Sequence, residues 1–113
     1  MADYDSLELE KTGYGAEPPK DIEAEKAVLG SMIISEDAVS DVIDKLVFED
    51  FYLKEHQEIY RAIVEMYRRS INIDELTLKT QLDKNKTLEM IGGLAYLTSL
   101  SDFAIVPSNA THY

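Results

Sequence analysis

Residues 50–69 read DFYLKEHQEIYRAIVEMYRR, and this stretch decides the fold. An aromatic pair, Phe51-Tyr52, leads into the longest unbroken helical pattern in the chain. Ile59, Tyr60, Ile63, Val64 and Tyr67 recur at spacings of 1, 3, 1 and 3, which places them on one stripe of a helix. Glu55, Glu58, Arg61, Glu65, Arg68 and Arg69 fall on the other face. Glu65 follows Arg61 by four residues and precedes Arg68 and Arg69 by three and four, so charges are expected to pair along that surface. No Gly or Pro interrupts residues 53–91. The pattern predicts a central helix near residues 54–69 in a compact all-α bundle of about five to six helices.

Upstream, residues 1–17 lack periodicity and hold Gly13 and Gly15 among acidic and small polar residues, the composition of a disordered acidic tail. Pro18-Pro19 ends it. A first helix is expected from Asp21, a good N-cap, with Ile22, Val28, Leu29, Met32 and Ile33 inward. Gly30 sits inside that pattern at a cost of about 1 kcal/mol relative to Ala, and its simplest use is close approach of another helix. Ser35 opens a second helix, with Glu36 and Asp37 in a first turn where negative charge complements the helix dipole. Its expected stripe is Ala38, Val39, Val42, Ile43, Leu46 and Val47. Phe48 to Phe51 reads as a short turn.

Downstream, Ser70 to Ile73 reads as an extended connector and Asp74 as the cap of a helix through about Leu82, carrying Leu76, Leu78 and Leu82. Asp83 to Thr87 is a polar loop and Leu88 to Ile91 a single helical turn. Gly92-Gly93 breaks the chain before a further helix from Leu94 to about Ser101, with Leu94, Leu97 and Leu100 inward. Pro107 disfavours helix at Val106. Ser108 then reads as an N-cap only five residues before Tyr113, the pattern expected of a truncated helix.

A chain of 113 residues is one domain with a tail, able to bury roughly 60–65 % of its unfolded surface. It has no cysteine, which removes disulfides and thiol chemistry and fits a reducing compartment. Its longest apolar run, Ala27–Ile34, is eight residues, too short for a membrane span. Asp3, Asp5, Glu8 and Glu10 stand where a signal peptide needs positive charge, so a cytoplasmic location is expected. Of the net charge of −11, residues 1–50 carry most, with 14 acidic and 4 basic side chains. Nucleic-acid affinity comes mainly from Lys and Arg on phosphates, and this chain has no such surplus. The expectation is no direct nucleic-acid binding. An acidic face can instead steer a basic partner protein, or simply keep the chain soluble.

Catalytic signatures are scarce. There is no GxxxxGK[ST], GxGxxG or HExxH stretch. His56 has no His or Cys near it in sequence and reads as a structural residue hydrogen-bonded near a helix end. The acidic pairs Glu23/Glu25, Glu36/Asp37 and Glu49/Asp50 have the residue type for acid–base work or for a cation. The latter two stand at expected helix starts, where carboxylates are favoured anyway. Tyr60 and Tyr67 read as core rather than as a stacking platform for bases. No catalytic residue, cofactor site or metal site is expected, and protein–protein contact is the remaining work.

Five stretches carry a family resemblance. Pro18-Pro19, Ile22-Glu23-Ala24-Glu25 and Val28-Leu29-Gly30 fit P-P-x-x-I-E-A-E-x-x-V-L-G. Asp50-Phe51-Tyr52, His56 and Ile59-Tyr60 fit D-F-Y-x-x-x-H-x-x-I-[YF]. Ile73-Asp74 with Thr77-Leu78 and Leu82, Gly92-Gly93 with Tyr96-Leu97, and Pro107-Ser108-Asn109-Ala110 with Tyr113 follow in order. On these motifs residues 18–113 resemble the N-terminal domain of the bacterial replicative DNA helicase, the DnaB family. Glu75 departs from the pattern, standing where an apolar residue is common, which predicts shallower packing at that helix start.

The resemblance implies a ring-shaped hexameric helicase driven by nucleotide hydrolysis, with this region in its N-terminal collar. ATP and Mg2+ would belong to an ATPase domain outside the chain, as would the helical hairpin and the linker helix. The implied partners are other subunits, the primase C-terminal domain and a helicase loader, with the fragment alone a monomer or weak dimer. Glu23 and Tyr96 are the implied partner-facing residues. Tyr96 reads equally as a core aromatic beside Leu97, and Glu23 as a solvated first-turn residue. Two rival readings are a stand-alone helical adaptor or inhibitor of helicase or primase, and a hydrolase built on a carboxylate pair and a cation.

Overall fold

The structure, a computed structural model, describes residues 21–105. The expected tail 1–17, the Pro18-Pro19 boundary and the Ser108 cap lie outside the described residues. Within them the chain is all-α, with six α-helices: α1 (Ile22–Ile34), α2 (Glu36–Ile43), α3 (Lys54–Arg68), α4 (Glu75–Lys84), α5 (Leu88–Ile91) and α6 (Gly93–Ile105). A 3-10 turn, Phe48–Asp50, joins α2 to α3.

Local chemistry sets the helix starts. The Asp21 carboxylate accepts from Ala24 N–H at 2.9 Å, and the Ser35 hydroxyl from Ala38 N–H at 3.3 Å. Asp74 and Thr77 cap reciprocally: each side chain accepts from the other's backbone N–H at 2.9 Å. Two helix ends close without glycine. After α3, Ser70 takes φ +60° and Ile71 N–H reaches back to Met66 C=O. After α4, Lys86 takes φ +63° and Thr87 N–H reaches Leu82 C=O. Both are Schellman closures.

The long helix α3 is the rod of the bundle: α1, α2, α4, α5 and the 3-10 turn pack along it, and α6 reaches it through Tyr96. Its buried face is His56, Ile59, Tyr60, Ala62, Ile63 and Met66. That corrects the expected stripe at two positions: Val64 is only partly buried and Tyr67 is 37 % exposed. Helices α4 and α5 pack on the rod, whereas its Val64 side borders an open groove. Of the expected charge pairs, Glu65–Arg69 forms at 3.7 Å, whereas Arg61 lies by Glu58 rather than Glu65, and over the Phe48 ring at 4.6 Å.

The most extensive helix contact is between α1 and α6. Gly30 makes it possible. A Cβ added there would collide with the Leu100 carbonyl oxygen and lie 2.8 Å from Ala104 Cβ. The expected close approach is therefore present, and α6 is longer than expected, reaching Ile105. Further corrections are local. Helix α2 stops at Ile43, leaving Val47 57 % exposed, and Leu76 on α4 is 66 % exposed. Helix α4 runs to Lys84, two residues past the expected end. Glu75 finds a use at the start of α4, where its carboxylate accepts from the Thr98 hydroxyl on α6 at 2.8 Å.

Candidate functional site

Three polar side chains are buried among the described residues: His56, Gln81 and Ser101. Gln81 bonds Asn85 and Ser101 bonds Leu97, each within or at the end of its own helix. Only His56 reaches across the bundle. It is fully buried on the first turn of α3. Its Nδ1 lies 2.8 Å from Glu25 Oε1 on α1, and its Nε2 lies 2.6 Å from the Tyr96 hydroxyl on α6. Glu25 Oε2 accepts a further bond from Tyr52 N–H at 2.7 Å, just before α3. One carboxylate–imidazole–phenol chain thus ties three helices together.

The donor inventory orients the chain. A carboxylate only accepts, so Nδ1 carries the proton toward Glu25. With a single proton on the ring, the Tyr96 hydroxyl then donates to Nε2. Burial pushes the Tyr96 phenol above its ordinary range, and the carboxylates of Glu55 and Glu25 push it further, so it stays protonated as a donor. The His56 and Tyr96 rings lie nearly parallel, 18° apart with centroids at 5.9 Å. Both ring nitrogens are engaged and no edge of His56 meets solvent, so a substrate atom has no approach to this imidazole. The arrangement is suited to holding helices in register.

Among the sequence-nominated residues, Tyr96 is half-buried on the first turn of α6 with its hydroxyl held by His56. Glu23 is exposed on the first turn of α1. Its neighbour Glu25, read from sequence only as half of an acidic pair, is the residue that enters the cluster. The groups converge across sequence separations of 31 and 40 residues, which no spacing within one helix could announce. The only available signal is that Glu25, His56 and Tyr96 each belong to a different one of the quoted motifs.

A family model, the DnaB-like helicase N terminal domain, matches residues 17–113. The chain belongs to that family. It is 40 % identical over 100 residues to the replicative DNA helicase DnaB of Mycobacterium leprae, covering 88 % of this chain and 17 % of that protein. It is 36 % identical over 96 residues to the replicative DNA helicase DnaB of Geobacillus stearothermophilus, covering 85 % of this chain and 21 % of that one. The crystal structure of the N-terminal domain of DnaB helicase from Mycobacterium tuberculosis superposes with a TM-score of 0.77 at 40 % identity, over 86 % of this chain and 70 % of that one. The chain therefore spans less than a quarter of the length of these curated relatives, and the match is to their helicase N-terminal domain. No helix among the described residues is long and apolar enough to cross a membrane.

Proposed function

We propose that this chain is the collar segment of a hexameric, ATP-dependent replicative helicase acting in the cytoplasm, and that it serves subunit assembly and recruitment of primase and a loader rather than catalysis. The observation that carries the reading is the family match over residues 17–113, with the fold shared at a TM-score of 0.77. The internal design supports it. A bundle tied by the Glu25–His56–Tyr96 chain keeps its helices in a fixed relation, which a scaffold for other subunits requires.

On this reading the segment itself holds neither ATP nor Mg2+. No GxxxxGK[ST] stretch occurs in the chain, and no group of three or more His, Cys, Asp or Glu converges among the described residues. Nucleotide chemistry belongs, on this reading, to a motor domain outside this segment. For the partner surface we retain Glu23, exposed on α1, and the ring face of Tyr96 on α6.

The test starts with the intact mass of the native gene product. A chain several times heavier than 12.8 kDa, assembling sixfold in native mass spectrometry, is the expected result. A product of 12.8 kDa would favour an adaptor instead. Titration of the primase C-terminal domain into the full-length protein then tests the surface. Glu23→Lys should weaken binding about tenfold, near 1.4 kcal/mol. Unchanged affinity removes Glu23 from the interface.

A further inference from the structure

Every arginine in the chain borders one groove. Arg61, Arg68 and Arg69 are the only ones in the sequence, and all three line a cavity of about 710 Å³ beside α3. Its apolar lining comes from Ile43, Leu46, Phe48, Tyr60 and Val64, drawn from the end of α2, the 3-10 turn and the rod. Val47, also in the lining, is 57 % exposed. On a chain of net charge −11, an apolar trough edged by all the guanidinium groups is the exception.

Local carboxylates do not saturate that edge. Arg61 Nη1 stands 4.0 Å from Glu58 and Arg69 Nη1 3.7 Å from Glu65, with the two arginine side chains 54 % and 59 % exposed. Exposed pairs of this length are weak. Arg68 makes no ion pair among the described residues. The groove therefore selects an acidic segment with interspersed apolar side chains.

We propose that its occupant is the chain's own segment Asp3–Glu10, DYDSLELE. This stretch supplies four carboxylates, on Asp3, Asp5, Glu8 and Glu10, interleaved with Tyr4, Leu7 and Leu9. The carboxylates match the arginine edge and the apolar side chains match the trough. Reach is sufficient. Glu25, one turn into α1, docks at Tyr52 and His56, next to the start of the rod. The far end of the groove, at Arg69, lies about 20 Å further along it at 1.5 Å per residue. The ten residues 11–20 span up to about 33 Å. Tethering at that length holds the segment near the groove at an effective concentration of the order of millimolar. A docked tail shields the groove from acidic segments of other proteins. The inference does not depend on the helicase reading.

The full 113-residue chain has no cysteine, so Ser6→Cys places a single nitroxide in the segment. In the isotope-enriched, spin-labelled chain at low salt, the amides of Val47, Arg61, Val64 and Arg68 should lose about half their intensity, as for a tail docked half the time. Intensity should return at 1 M salt, where the Debye length falls to about 3 Å. It should also return in the Glu8→Lys, Glu10→Lys variant, which leaves the bundle untouched. Broadening absent from the groove, or surviving both the salt and the charge reversal, overturns the proposal. So does broadening that appears when labelled unenriched chain is mixed with unlabelled enriched chain, because the occupant is then a second copy.

Discussion

The α1–α6 seam and the groove beside α3 are both made of helix faces, yet one is closed down to the backbone and the other stands open by about 710 Å³. Side-chain size at the contact separates them. At the seam Gly30 presents no side chain, so the Leu100 carbonyl and Ala104 press directly onto α1. At the groove the lining includes Phe48, Tyr60 and three arginines, large side chains that leave no flat backbone-to-backbone contact, and Arg61 and Arg69 extend into solvent. Polar groups follow the same division. Beside the seam, the carboxylate, imidazole and phenol of Glu25, His56 and Tyr96 satisfy one another in the interior. Along the groove, charged ends stay in water. Permanent contact is built from small residues and internally paired polar atoms, and open surface is lined by long cations.

The seam breaks most easily at its tightest point. Gly30→Ala improves helix propensity by about 1 kcal/mol, but its Cβ meets a backbone carbonyl that cannot turn aside. Forced separation of the helices should leave a net loss of about 3 kcal/mol, the upper range for overpacking. At about 4–8 °C per kcal/mol for a domain of this size, thermal unfolding should show it plainly. An unchanged midpoint would mean that the seam has slack.

The polar chain beside the seam comes next. His56→Leu leaves the Glu25 carboxylate, 12 % exposed, and the Tyr96 hydroxyl without their central partner. The expected loss is about 2–3 kcal/mol by urea denaturation, because an orphaned buried polar group costs its full desolvation. Adding Glu25→Leu should recover part of that loss, since an apolar pair needs no partner. Strict additivity of the two changes would show that the residues do not act together.

Much of this architecture is legible in the sequence, and the reason is local. Asp21, Ser35 and Asp74 are short acceptors placed ahead of apolar periodic runs, and each caps the helix it precedes. Gly30, a poor helix residue inside a helical pattern, signals the close approach that the seam requires. What periodicity cannot tell is whether anything covers an apolar face. Val47, Tyr67 and Leu76 fit their stripes and are nonetheless exposed, because cover depends on which helix packs above them. The polar chain is hidden for a related reason. Nothing near Glu25 in sequence distinguishes it from Glu23 until α1 is set against α3.

Alkaline titration sharpens the comparison from both sides, because each region contains one phenol that folding makes harder to ionise. Tyr96 beside the seam and Tyr60 at the groove are both raised above the ordinary tyrosine range, chiefly by burial. Nearby carboxylates add to the effect: Glu55 and Glu25 for Tyr96, Asp50 for Tyr60, with Arg68 opposing in the second case. A pKa raised by folding means that the folded state favours the protonated form. Its stabilising contribution is complete below about pH 10 and is lost as pH rises through the folded value. Denaturation midpoints should hold up to about pH 9 and fall beyond about pH 10. Tyr96→Phe should flatten that fall while lowering the neutral-pH midpoint, since it removes both the ionisable phenol and a donor to His56. A fall that is equally steep in the variant would place the titration elsewhere.

The smallest effect lies at the helix ends, and there too the two regions differ. Near the seam, the turn between α5 and α6 uses Gly92 at φ +107° and Gly93 at φ +71°, where glycine is at ease. The ends of α3 and α4 place Ser70 and Lys86 in the same left-handed region, although both carry a Cβ. Arg69, Asn85 and Thr87, their immediate neighbours, line the groove. A left-handed residue with a Cβ costs roughly 1–2 kcal/mol, and glycine recovers part of that while gaining freedom in the unfolded chain. Ser70→Gly and Lys86→Gly should therefore each stabilise by about 0.5–1 kcal/mol in urea. Neither side chain bridges two elements: both residues are exposed, so there is little packing to lose. The same pair tests whether the groove's shape depends on those turns. If both variants gain stability while the spin-label broadening of Arg68 is unchanged, the turns only end helices. If the broadening falls as stability rises, the two left-handed residues hold the groove's rim in place.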